Sequence, residues 1–141
     1  MITKAIEFAF EYRKMKGWQR TYWAFDIHGT ILKPNWSKDI LPDQFYPEAK
    51  ECLQMISKIK EVRMILYTCS RPDHIESYLK FFESDDIKFH YTNSNPEIRN
   101  GAYACYDSKP YFNVLFEDKA GFDPYEDWIK VKELIKNRAS F

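Results

Sequence analysis

Thr21-Tyr22-Trp23-Ala24-Phe25-Asp26-Ile27-His28-Gly29-Thr30 is the stretch from which the rest of the chain is read. Tyr22 to Phe25 has the aromatic and small apolar composition of a short strand buried on both faces, and it ends on a carboxylate, Asp26. An imidazole, His28, follows two residues later, and then a Gly-Thr turn. In an open parallel α/β sheet, ligands bind outside the carboxyl ends of the strands. Asp26 therefore stands either at the mouth of such a site or as the cap of a turn, and the ends of the other strands decide between them.

Working outward, residues 2–16 place Ile2, Ile6 and Ala9 on one stripe with Ala5, Phe8, Tyr12 and Met15 beside it, which predicts a helix ended by Gly17. The run from Arg13 to Arg20 sets four bases around Trp18 and reads as a solvated helix end whose cations complement the dipole. Residues 31–46 are proline-rich and polar, and predict a long loop overhanging the site, with Trp36, Phe45 and Tyr46 available to pin it or to stack on a substrate. A helix is expected over 47–60 and a strand over 62–67 ending at Thr68-Cys69-Ser70. Further on come a helix over 73–83, a strand over 87–91, a short helix over 95–106 opened by Asn95-Pro96-Glu97, a strand over 111–116, and a closing helix after Pro124. Strands alternating with helices predict one α/β domain over residues 1–141, a three-layer sandwich around a mainly parallel, Rossmann-like sheet.

Composition narrows the function. With 141 residues the chain buries roughly two thirds of the surface of its unfolded form, so a core forms without disulfides. Lys plus Arg and Asp plus Glu number 21 each, so no net field recruits nucleic acid or an anionic membrane. Cys52, Cys69 and Cys105 lack paired metal spacing, and an odd number of thiols fits a reducing cytoplasm. Charges in the first residues do not suit a signal peptide, and no apolar run approaches membrane-spanning length, so a cytoplasmic protein without membrane contact is expected.

Three strands are expected to end in polar groups at one edge: Asp26 with His28, Thr68 with Ser70, and Glu117 with Asp118 and Asp123. Clustered carboxylates repel unless a cation lies between them, and hard oxygen donors suit Mg²⁺, which also takes a substrate phosphate. Such an ion lets a carboxylate approach a phosphoryl group for covalent transfer.

This pattern resembles the haloacid dehalogenase superfamily, most of whose members are Mg²⁺-dependent phosphatases. Its first motif, an apolar strand followed by Asp-x-Asp-Gly-Thr, is matched by Asp26-Ile27-His28-Gly29-Thr30 except at His28. The second is matched by Met64-Ile65-Leu66-Tyr67-Thr68 and the fourth by Val114-Leu115-Phe116-Glu117-Asp118 with Asp123. The resemblance implies that Asp26 is the nucleophile and, with the carbonyl of His28 and with Asp118, a metal ligand. It implies that Asp123 supports the metal's waters and that Thr68 and backbone N–H groups near Gly29 hold phosphoryl oxygens.

His28 occupies the place of the family's acid/base Asp. Imidazole titrates near pH ~6.5 and both donates and accepts protons at neutral pH, so His28 is expected to take that role. The alternative is a catalytically altered module that binds a phosphorylated ligand or partner. For the family's third-motif Lys there are two candidates. Lys109 fits by its Lys-Pro sequence, but seven extended residues at ~3.3 Å each would hold it ~20 Å or more from the carboxyl end of the 111–116 strand. Arg99, expected early in the 95–106 helix, is placed at the correct edge; Lys119 and Arg71 lie nearby in sequence. No insertion is long enough for a large cap. Capless members of the family associate into oligomers or act on large substrates, so the implied partners are a second copy, or a saccharide phosphate, nucleotide or polynucleotide end.

Overall fold

The computed structural model describes residues 1–138; the last three residues of the expected domain, 139–141, lie outside them. Its strands are β1 (Thr21–Phe25), β2 (Val62–Leu66), β3 (Tyr91–Thr92) and β4 (Val114–Phe116), and its helices are α1 (Ile2–Lys16), α2 (Ala49–Ser57), α3 (Pro72–Ser84) and α4 (Asp127–Asn137). The strands form one sheet in the order β3-β2-β1-β4, and every pairing is parallel. This is the Rossmann-like α/β arrangement, and among the described residues there is no large cap. All five residues of β1 are buried, as a central strand requires.

Strand parity divides the core. Trp23, Phe25, Met64, Leu66, Val114 and Phe116 join buried side chains from all four helices in one cluster. Tyr22, Ala24 and Ile65 point the other way and are covered by Ile98, Tyr111 and Phe112. Connections from β1 through β3 step in one direction across the sheet, whereas the return to β4 steps back past β1. A right-handed return must therefore cross the opposite face. Residues 93–113 make that crossing and form the third layer.

The expected helix over 95–106 is absent, because polar side chains there satisfy the backbone in place of helical bonds. Asn95 Oδ1 accepts from Glu97 N at 3.2 Å, Asn95 Nδ2 donates to Tyr111 O at 2.9 Å, and Asn100 Oδ1 accepts from Tyr106 N at 2.6 Å. Glu97 ties the segment to the sheet: its carboxylate accepts from Tyr22 Oη at 3.1 Å, from Arg63 Nε at 3.0 Å and from the Tyr91 hydroxyl.

Side chains also shorten two strands. His90 donates its N–H to Met64 O at 2.8 Å while its Nδ1 accepts from Met64 N at 2.9 Å, so an imidazole replaces a ladder carbonyl and β3 begins only at Tyr91. Asn113 does the same beside Tyr22, whose N–H donates to Asn113 Oδ1 at 2.8 Å, and β4 begins at Val114. At the end of α1, Gly17 adopts φ +67°, and Trp18 N bonds Arg13 O while Gly17 N bonds Lys14 O, a Schellman closure. Helix α2 begins at Ala49 rather than at Pro47, because Glu48 takes a left-handed φ of +69° and pairs with Lys132 at 2.6 Å.

Candidate functional site

Register brings the strand ends level. Phe25 pairs with Leu66 on one side and Phe116 on the other, so Asp26, Thr68 and Glu117 with Asp118 emerge at one edge of the sheet. Between β1 and β4 the strand order reverses, and such a switch point opens a crevice at the carboxyl ends. Asp26 N donates to Phe116 O at 3.0 Å across it. A cavity of about 520 Å³ opens there, lined by Asp26, His28, Tyr67, Thr68, Cys69, Asn93, Glu117, Asp118 and Lys119.

Oxygens of Asp26, Glu117 and Asp118 lie within 4.8 Å of one another. The turn after β1 is wound around the Ile27 carbonyl, which accepts from Thr30, Ile31 and Leu32 N–H groups. It presents Thr30 Oγ1 3.3 Å from both Asp26 Oδ2 and Asp118 Oδ1, and that hydroxyl also accepts from Asp118 N at 3.0 Å. Gly29, at φ +80°, permits the close approach of Asp118: a Cβ there would lie 2.8 Å from Asp118 Oδ2.

Burial pushes the Asp26 carboxyl up to about 6, and the nearby Glu117 and Asp118 charges add to the shift against the opposing hydrogen bonds from Ile27 N–H and the Thr30 hydroxyl. Glu117 is likewise raised, by burial first and then by Asp118. These are carboxylates whose negative charge is under-compensated, and hard oxygen donors so placed fit a divalent cation such as Mg²⁺.

Thr68 is held from its own backbone: its N–H donates to Asn93 Oδ1 at 2.8 Å, while Asn93 Nδ2 donates to Thr68 O at 2.7 Å. Asn93 adopts φ +53°, and its N–H bonds Leu66 O at 2.8 Å. The Thr68 hydroxyl lies 2.8 Å from that of Ser70. His28 Nε2 lies 2.6 Å from the hydroxyl of buried Tyr78, and burial, with His74 nearby, holds the imidazole below its usual value.

Asp26, His28, Thr68 and Asp118 thus meet at one cavity, while Gly29, close to Asp118, is absent from the lining and donates its N–H to Leu32 O at 3.0 Å. Asp123, expected to support the metal's waters, lies outside the acidic group and the cavity lining. Its carboxylate accepts from Tyr125 N at 2.9 Å and its backbone N–H bonds Asp127, at the approach to α4, while Glu117 joins the acidic group instead. Arg99 and Lys109 are absent from the lining, and Lys119 is the basic residue present in it. The distance argument against Lys109 lapses because β4 has only three residues. Its Nζ sits 5.8 Å from the Phe112 ring, which in turn packs 5.7 Å from Tyr67. Asn93 and Tyr78 carried no signal in the sequence as site residues, since one reads as a turn residue and the other as helix core.

Within the overhanging loop, Phe45 stacks on Phe81 at 5.6 Å and Tyr46 meets Tyr125 at 5.1 Å, so both pin the loop. Trp36 does not; it is 91% exposed.

No known family model matches the chain, and no curated protein is similar to it. Among solved structures, a conserved protein from Bacteroides thetaiotaomicron is similar, with a TM-score of 0.64 and 18% identity over 86% of this chain and 94% of that one. At that identity the likeness is one of fold.

Proposed function

We propose that this protein is a Mg²⁺-dependent phosphohydrolase of the haloacid dehalogenase type, with Asp26 as its nucleophile. One observation carries the reading: three carboxylates with oxygens within 4.8 Å share a switch-point cavity with Thr68 and Lys119. Asp26, Glu117 and Asp118 would hold the ion. Bound there, Mg²⁺ offsets their mutual repulsion and the charge of a phosphoryl group.

Asp26 attacks phosphorus as the ester P–O bond breaks, giving an aspartyl-phosphate and an alcohol. Water then attacks that phosphorus and restores the carboxylate. His28, neutral near pH 7, takes the proton of the water and returns it to the next leaving oxygen, so that the cycle consumes one water and yields phosphate. Thr68, fixed by Asn93, and Lys119 supply a hydroxyl and a positive charge for the phosphoryl oxygens. The hydrogen bond between the Tyr78 hydroxyl and His28 Nε2 favours a second reading, a module that binds phosphorylated ligands without turnover, because it leaves only Nδ1 of that ring for proton transfer.

Phosphate release from a panel of phosphomonoesters, with Mg²⁺ or with EDTA, separates the two. Turnover is expected only with the metal, and Asp26→Asn should reduce it at least ~10³-fold with the fold retained by circular dichroism. Turnover by that variant would sink the nucleophile assignment, and Mg²⁺ binding without any turnover would leave the binding module. Among the described residues no helix is long and apolar enough to cross a membrane, and we place the reaction in the cytoplasm, where Cys69 and Cys105, both exposed, stay reduced.

A further inference from the structure

A second cavity of about 520 Å³ adjoins the first, with His28 in the lining of both. One wall is the loop 34–42, and the other is His74, Ser77 and Tyr78 on the first turns of α3. We infer that this cavity receives a planar heteroaromatic ring carried by the leaving alcohol of the phosphomonoester, with Trp36 as its stacking surface. As a statement about the leaving group this rests on the phosphohydrolase reading; as a statement about ring binding it does not.

Three observations select the ring. First, Trp36 is exposed although the loop around it is ordered by its own polar side chains. Asn35 Nδ2 donates to Ile40 O at 2.9 Å and Asn35 Oδ1 accepts from Ser37 N at 3.0 Å, while Ser37 Oγ accepts from Asp39 N and Ile40 N, each at 3.2 Å. Trp36 takes φ +59° within this loop, a conformation that bulky residues rarely adopt. The loop thus fixes the backbone at Trp36 while its side chain stays exposed, and an aromatic face so presented offers a stacking surface to a planar partner. Second, the formal charges in the lining, Lys38 and Asp39, have opposite signs, so the cavity suits a neutral group and not a second phosphate. Third, Pro34, Trp36, Ile40, Leu41 and Pro42 dominate its loop wall. A heteroaromatic ring lays its apolar faces on that wall and on Trp36 and places its few polar atoms at its edge, toward His74 and Ser77.

The test uses the full chain carrying Asp26→Asn, so that no ester is consumed. It is titrated with adenosine, adenosine 5′-monophosphate, glucose 6-phosphate and inorganic phosphate, by calorimetry and by indole fluorescence. Of the four tryptophans, Trp23 and Trp128 are fully buried and Trp18 is half-buried outside the lining of this cavity, so the saturable quenching that Trp36→Ala removes is the part that reports on Trp36. Adenosine and its monophosphate are expected to quench saturably and glucose 6-phosphate is not. Adding Trp36→Ala should weaken the monophosphate roughly tenfold, the loss of one stacking partner, and leave inorganic phosphate unaffected. Ring binding that survives Trp36→Ala, the absence of saturable ring binding, or equal binding of glucose 6-phosphate would overturn the inference. If the wild type releases no phosphate yet binds adenosine through Trp36, the hydrolase reading fails and this one stands. If it hydrolyses phosphomonoesters but ignores adenosine and its monophosphate, the reverse holds.

Discussion

Asp26 is half-buried beside two other carboxylates, and its carboxyl is raised to about 6. An acid raised in the folded state holds its proton more tightly there than in the unfolded chain. Its contribution to stability is therefore greatest below the ordinary carboxylate range near pH ~4 and is lost as pH rises toward 6. Without metal, Asp26→Asn should make the protein more stable than wild type at pH 7 by about 1 kcal/mol, a value reduced for the exposed part of the carboxylate, and the gain should vanish near pH ~4. Urea denaturation in EDTA at the two pH values measures it, and a loss of stability at pH 7 would show that ionised Asp26 is already compensated. Gly29 shapes the site in two ways. From sequence it is a turn glycine near expected phosphoryl donors, yet its lack of a side chain also makes room for Asp118, which comes from the other side of the strand-order reversal.

At the scale of elements, α1, β1, β2 and α3 lie within a residue or so of their expected bounds, because hydrophobic periodicity reports the face that is buried. The differences have a common physical origin. His90, Asn113, Asn95 and Asn100 each use a side chain where regular structure would use the backbone, and periodicity does not register that exchange. The same limit applies to the candidate site: the meeting of the strand-end residues Asp26, Thr68 and Asp118 was legible, while the presence of Asn93, Tyr78 and Lys119 around it, and the absence of Arg99 from the lining, depend on how irregular segments fold back. The crossing segment 93–113 depends on Glu97, which accepts from three side chains. Glu97→Ala should cost about 2 kcal/mol by leaving Arg63 and two tyrosine hydroxyls without that partner. Amide hydrogen exchange should accelerate across 93–113 while the amides of β1 keep their protection. Equal acceleration in β1 would show that the segment and the sheet open as one unit.

For the whole molecule, the pairing of β1 with β4 joins distant parts of the chain; Tyr22 and Asn113, which meet at its start, are 91 residues apart. Loop closure over such a distance delays this contact in folding, and the acidic group, drawn from the ends of both strands, exists only once it is made. A ligand of that group is expected to bind a structure that the folding transition state has yet to assemble. In denaturant-jump kinetics Mg²⁺ should therefore slow unfolding several-fold and leave the refolding rate nearly unchanged, whereas a faster refolding limb would place β4 docking before the barrier. For the proposed Mg²⁺ complex, the level alignment of two remote strand ends would give the ion a kinetic role, as a brake on the first step by which the native sheet comes apart.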